Sequence, residues 1–198
     1  MSLKPTQEQI EFSTTTLLLA LSARNLETGD HCPRVNRLAL QLGRALQLRA
    51  DDLYALKFGS LLHDIGKLRT RDAVLCKPAK LNSDEWEEMR RHPVDGATIL
   101  RSLNFPESIC LIVEQHHEWI DGTGYPFGLK ENEISFGARV FAVADTFDAI
   151  TRDRCYRQGA AVAVALHEIS SWSGTQFDPK VVDVLITLSR NHQLATAA

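Results

Sequence analysis

Apolar residues recur along this chain at the spacing of one helix face, and polar, proline and glycine positions divide them into segments. Residues 6–26 suit a first helix, which runs out in Glu27-Thr28-Gly29-Asp30-His31. Gly29 is expected to stop or kink it, and Asp30 followed by Pro33 to open the next helix. That second helix carries Val35, Leu38, Ala39, Leu42, Ala45 and Leu46 as a stripe. Asp51-Asp52 is expected to cap a third helix through Leu53, Leu56, Leu61 and Leu62, which delivers His63-Asp64 at its end. Residues 70–81 read as a basic, proline-containing loop. Asn82-Ser83 caps a short helix ending at Arg90-Arg91-His92, Pro93 opens another through Ile99 and Leu100, and Pro106 opens one over 108–118 that bears His116-His117. Asp121-Gly122-Thr123-Gly124-Tyr125-Pro126 is a loop by every turn rule. Residues 136–150, bearing Asp145 and Asp148, are strongly helical, and two more helices follow at 160–172 and 178–190.

No stretch predicts a strand, no internal repeat shows, and no low-complexity linker divides the chain. The expected fold is therefore all-α: a helical bundle of about seven to nine helices, with a lead-in helix over 1–26 and one compact unit over 27–198. The apolar run over 14–21 is wider than one core face needs. Core packing is the expectation for it, with a homodimer helix or a face for another domain as alternatives. It lacks a basic leader and a small-residue cleavage site, so it does not read as a signal peptide.

Composition narrows the function. At 198 residues, 44% apolar and 24% charged, the chain can bury a proper core, and it holds no membrane-length apolar run. A net charge of -3 argues against a general DNA or RNA binder but leaves room for a small phosphorylated substrate held by local cations. Four cysteines without a CxxC pair fit reduced thiols in a cytoplasmic protein.

The candidate chemistry gathers around Leu61-Leu62-His63-Asp64-Ile65-Gly66-Lys67. Imidazole and carboxylate side by side at the end of an apolar helix suit a metal of borderline softness, with Lys67 in reach of an anionic substrate. His31, His63, His92, His116 and His117 all fall at or near expected helix ends, and Glu27, Asp64 and Asp145 are acids that could join them. Glu27 and His31 are four apart, one helical turn. His63 and Asp64 point about 100° apart on a helix, so they share a cluster only if the helix is ending or if Asp64 bridges two ions. Eight candidate ligands are too many for one tetrahedral zinc and suit two or three ions. Imidazole and carboxylate donors without thiolate favour iron, manganese or zinc, and the sequence does not choose among them. Scattered structural histidines would explain any one of these positions, but not the set.

These motifs, followed by His92-Pro93, His116-His117-Glu118, the Gly-Tyr-Pro loop and Asp145-Thr146-Phe147-Asp148-Ala149, resemble the HD-GYP family over most of the chain. The family's members are bacterial phosphodiesterases of cyclic di-GMP within the HD-domain metal hydrolases. The resemblance implies metal binding by His63, Asp64, His92, His116, His117 and Asp145. Glu27 and His31 match an extra pair found in members that hold three metals. It also implies substrate contacts from Lys67, Asp148, Arg154 and Arg157, with Asp64 and Lys67 at the chemistry and Gly124, Tyr125 and Pro126 in a loop near the site. The implied reaction is metal-assisted hydrolysis of cyclic di-GMP to pGpG or GMP. Implied partners are diguanylate cyclase domains or an upstream sensory domain. Alternatives are a low-turnover cyclic-dinucleotide sensor, or a hydrolase of another cyclic dinucleotide such as cyclic GMP-AMP. Trp119-Ile120, Cys155 and Ala160-Ala161 depart from the family pattern, the first by omitting a basic residue near the site, and none removes a metal ligand.

Overall fold

The computed structural model describes residues 5–24, 28–152 and 159–194. Ten α-helices occur among them: α1 (Gln7–Arg24), α2 (Thr28–Ala45), α3 (Ala50–Leu62), α4 (Asp72–Leu75), α5 (Ser83–Met89), α6 (His92–Ser102), α7 (Glu107–Gln115), α8 (Phe136–Thr151), α9 (Val162–Ser171) and α10 (Pro179–Arg190). Of these, α4 is a single turn inside the expected loop over 70–81. No strand forms among the described residues, so the all-α expectation holds.

The core lies where α2, α3, α7 and α8 meet, with Leu42, Leu56, Leu62, Ile109, Val113, Val140 and Phe141 fully buried. The helix α6 packs on α7 and on the 3-10 turn Ile65–Arg69 that follows α3. Gly66 makes that packing close: a Cβ there would stand 1.9 Å from the His92 carbonyl oxygen. Any side chain would push the histidine–aspartate turn away from α6.

Three local expectations are corrected. α2 already runs from Thr28, so Gly29 does not end a helix and Pro33 sits inside α2 rather than at its first position. Asp51 and Asp52 lie within the first turn of α3, where they meet the helix dipole, and Arg49 occupies the cap position. α7 stops at Gln115, so His116 and His117 lie just beyond it. The other caps hold; Asn82 closes a capping box with Glu85 on α5.

The helix α1 buries Ile10, Thr14 and Leu21, while Phe12 and Leu19 are 76% and 68% exposed. Its last residue, Arg24, spans to the 3-10 turn. The guanidinium donates to the carbonyls of Lys67 (3.2 Å), Leu68 (2.5 Å) and Thr70 (2.8 Å), and pairs with Asp72. These carbonyls lie where the turn ends, so one rigid fork closes its open end. Cys32 and Cys110 are buried free thiols and Cys76 is an exposed one.

Candidate metal centre

Three histidines are aimed by the same local device. A helix leaves its last carbonyls without intrahelical partners, and a residue just past the end can reach them. His63 Nδ1 lies 2.9 Å from the Ser60 carbonyl, His92 Nδ1 2.8 Å from that of Met89, and His116 Nδ1 2.7 Å from that of Val113. A carbonyl only accepts, so each Nδ1 carries a proton and each ring turns its Nε2 inward. The sequence alone holds this signal, since each histidine stands three residues after the carbonyl it uses.

Those Nε2 atoms converge in two clusters. His92, His116 and His117 form one; His31, His63 and Asp145 form the other, and within each the donor atoms lie within 4.8 Å of one another. Asp64 stands between them. Its Oδ1 is 3.5 Å from His92 Nε2, and its Oδ2 is 3.3 Å from His63 Nε2 and 2.7 Å from Lys67 Nζ. The ending of α3 permits this: His63 keeps helical angles while Asp64 turns out at φ -92, ψ 4. His63, Asp64, His92 and His116 are buried, and His31, His117 and Asp145 are half-buried, so the centre opens on their side.

The electrostatics fit a cation. His92 Nε2 and His116 Nε2 face each other at 3.2 Å, although both rings are protonated on Nδ1. Two lone pairs so opposed call for a positive ion between them. A proton does not fill that role: burial drives His92 down to about 4, His117 to about 3, and His116 well below the ordinary histidine range. Burial acts to raise Asp64, yet Lys67 and His63 hold it well below the usual carboxylate range. Likewise Asp145 opposes its burial and falls to about 2, chiefly through His31. Burial would lower His31, but Asp145 and Asp148 raise it to about 9.

Seven of the expected ligands, all but Glu27, come together here. Glu27, Arg154 and Arg157 lie outside the described residues. Asp148 sits behind His31: its Oδ2 is 2.8 Å from His31 Nδ1, and Arg34 donates to the same carboxylate at 3.1 and 3.3 Å. His31 Nε2 then points to Asp145 Oδ1 at 3.1 Å.

The Gly-Tyr-Pro loop is fastened directly to the centre. Tyr125 stacks on His117 with ring centroids 4.7 Å apart, and its backbone N–H donates to the His117 carbonyl at 3.1 Å. Gly124 permits the approach, since a Cβ there would lie 2.2 Å from the Trp119 nitrogen. Buried Glu118 accepts from the Phe127 and Leu129 N–H groups at 2.7 and 3.0 Å, anchoring the far side of the loop. Arg90, from the end of α5, lies 5.2 Å over the Tyr125 ring, bringing a guanidinium to a loop whose Trp119-Ile120 supplies none.

Sequence reasoning gave no role to Arg24, Arg34 or Arg90, and none to Glu118 beyond its place in the His116-His117-Glu118 motif. Two had a local signal: Arg34 follows His31 by three on one helix face, and Glu118 adjoins His117. The other two act across the fold.

The HD domain family matches residues 5–181. The chain belongs to that family. Within this HD domain the HD-GYP motifs are present in order. A cyclic di-GMP phosphodiesterase of Pseudomonas aeruginosa, PA4108, is 43% identical over 169 residues, 81% of this chain and 40% of that protein. The 3'3'-cGAMP-specific phosphodiesterase 1 of Vibrio cholerae is 34% identical over 194 residues, 94% of this chain and 44% of that protein. The chain thus spans less than half the length of either relative. Among solved structures, the cyclic GMP-AMP specific phosphodiesterase V-cGAP3 of V. cholerae shares the fold, with a TM-score of 0.69 over 85% of this chain and 47% of that one, at 24% identity. No described helix is long and apolar enough to cross a membrane.

Proposed function

We propose that this HD domain hydrolyses the 3′–5′ phosphodiester of a cyclic dinucleotide, with cyclic di-GMP as substrate and pGpG or, after a second cut, GMP as product. The observation that carries the reading is Asp64, one carboxylate facing both ligand clusters with Lys67 on its second oxygen. The names of the similar proteins give the substrate class.

His92, His116 and His117 would hold one divalent ion, His31, His63 and Asp145 another, with Asp64 between them; Glu27 would extend the set toward a third. Iron or manganese suits these donors best, and zinc is compatible. Ions bound there supply Lewis acidity to phosphoryl oxygens and lower the pKa of water. Lys67 meets the charge that develops on the phosphoryl group. Backbone carbonyls keep three imidazoles aimed inward, and Tyr125 holds His117 by stacking. Asp148 orients His31 in this arrangement, and Arg154 and Arg157 are the substrate contacts implied by the motifs.

Cytoplasmic work, with the Gly-Tyr-Pro loop facing a diguanylate cyclase or sensory domain and α1 free to pair with a second copy, completes the proposal. Cyclic GMP-AMP is the second substrate reading, favoured by the V. cholerae relative. Hydrolysis and metal content measured on one preparation test the function. Asp64→Ala is expected to lose activity by about a thousandfold, together with bound metal. Unimpaired hydrolysis in that variant ends the reading, and competition between the two cyclic dinucleotides assigns the base.

A further inference from the structure

Behind the metal centre, α2 and α8 border a cavity of about 280 Å³ whose wall includes Arg34, Arg37, Leu38, Phe147, Asp148 and Arg152. One carboxylate separates it from the ligands. Asp148 meets His31 on the side of the centre and Arg34 on the side of the cavity. Three guanidinium groups against one carboxylate leave this wall positive in a chain whose net charge is -3. Holding Asp148 accounts for Arg34, and Arg152 Nε lies 4.0 Å from the same carboxylate. Arg37 is different: it is exposed and makes no ion pair among the described residues. Leu38 and Phe147 give the cavity an apolar side.

Planar guanidinium forks beside an apolar wall suit a phosphate joined to a flat, weakly polar group. The volume falls just below the range of ~300–1,000 Å³ typical of small-molecule pockets, so it takes a fragment of a dinucleotide rather than the whole. A cyclic dinucleotide carries two phosphodiesters, and only one can lie at the ligand clusters beside Lys67. The other needs a counter-charge elsewhere.

We propose that this cavity binds the half of the cyclic dinucleotide that is not being cut, with Arg37 on its phosphate and its nucleoside against Phe147 and Leu38. The assignment rests on the cyclic-dinucleotide reading above. It makes Arg37 a specificity residue that separates these substrates from small diesters able to reach the centre without filling the cavity.

Steady-state hydrolysis of cyclic di-GMP by the metal-loaded protein tests it, with Arg37→Glu and, on the same helix outside the cavity, Arg44→Glu. Arg37→Glu is expected to raise KM about tenfold, with the loss expressed in KM rather than kcat, while Arg44→Glu matches the parent. An unchanged KM in Arg37→Glu overturns the cavity assignment and leaves the hydrolase reading standing. A parent protein that takes up its metals but neither binds nor cuts cyclic di-GMP or cyclic GMP-AMP overturns the substrate reading, and this assignment with it.

Discussion

The two ligand clusters share Asp64, and a helix-end carbonyl holds His63 as it holds His92 and His116, but His31 is held by a different group. In the cluster of His92, His116 and His117, two rings donate Nδ1 to helix-end carbonyls, and burial keeps all three below the ordinary histidine pKa. In the cluster of His31, His63 and Asp145, the Nδ1 of His31 meets the Asp148 carboxylate instead, and its Nε2 meets Asp145. Two carboxylates overcome burial there and raise His31 to about 9. The group behind an imidazole thus decides its state at neutral pH. A carbonyl orients the ring and leaves it neutral; a carboxylate orients it equally well and keeps a proton on it until a metal takes its place.

The largest consequence is a split in the pH dependence of metal loading. An ion entering the His31 cluster below about pH 9 must displace that proton. Its affinity should therefore rise about tenfold per pH unit, or roughly a hundredfold from pH 6 to pH 8. The other cluster competes with protons only near pH 4, where His92 titrates. Metal counted after equilibrium dialysis should show one class of ion at pH 6 and an additional one at pH 8. Identical loading at both values would mean that the carboxylates behind His31 do not hold its proton against the metal. Without metal, the signs are opposite. His31, raised in the fold, contributes stability that is full below about pH 6.5 and lost as pH rises through about 9, whereas depressed His92 and His117 withdraw stability as pH falls below about 6.5. Thermal melts of the metal-free protein across pH read both.

A smaller effect sharpens the same contrast. Asp148→Asn keeps an oxygen for His31 Nδ1 but removes one of the two charges that hold the proton. The pH at which the His31 cluster loads should fall by about one unit, while loading of the other cluster keeps its profile. A shift in both clusters would mean that they do not act separately.

The contrast between the clusters also marks what was legible in the sequence. Apolar stripes ending at His63, and caps placing His92 and His116, made the carbonyl-held ligands readable, because they depend on contacts three residues long. The all-α bundle followed from the same periodicity. The start of α2 was misread since Gly29 and Pro33 are weak punctuation when tertiary packing continues a helix through them. What local pattern cannot carry is a contact across the fold. Asp148 reaches His31 over 117 residues, and nothing within α8 says whether its carboxylate faces substrate or a ligand. Arg24 stands in the last turn of α1, yet its partners lie 43 to 48 residues away.

That arginine supports the smallest effect, and one that should spare both clusters. Among the described residues Arg24 touches no expected metal ligand; it closes the 3-10 turn that carries Lys67, whose ammonium rests on the shared Asp64. Arg24→Gln keeps the side chain's polarity and loses the fork that spans three carbonyls at once. Lys67 would then sample positions away from the phosphoryl group, and misplacement of a reacting group lowers turnover more than binding. A fall in kcat of about fivefold is expected, with metal content and its pH profile as in the parent. Arg24→Lys, able to meet one carbonyl but not three, should recover only part of the loss. If Arg24→Gln instead empties one cluster selectively, α1 supports that cluster rather than the lysine between the two, and ligand orientation and charge delivery are one function of the turn.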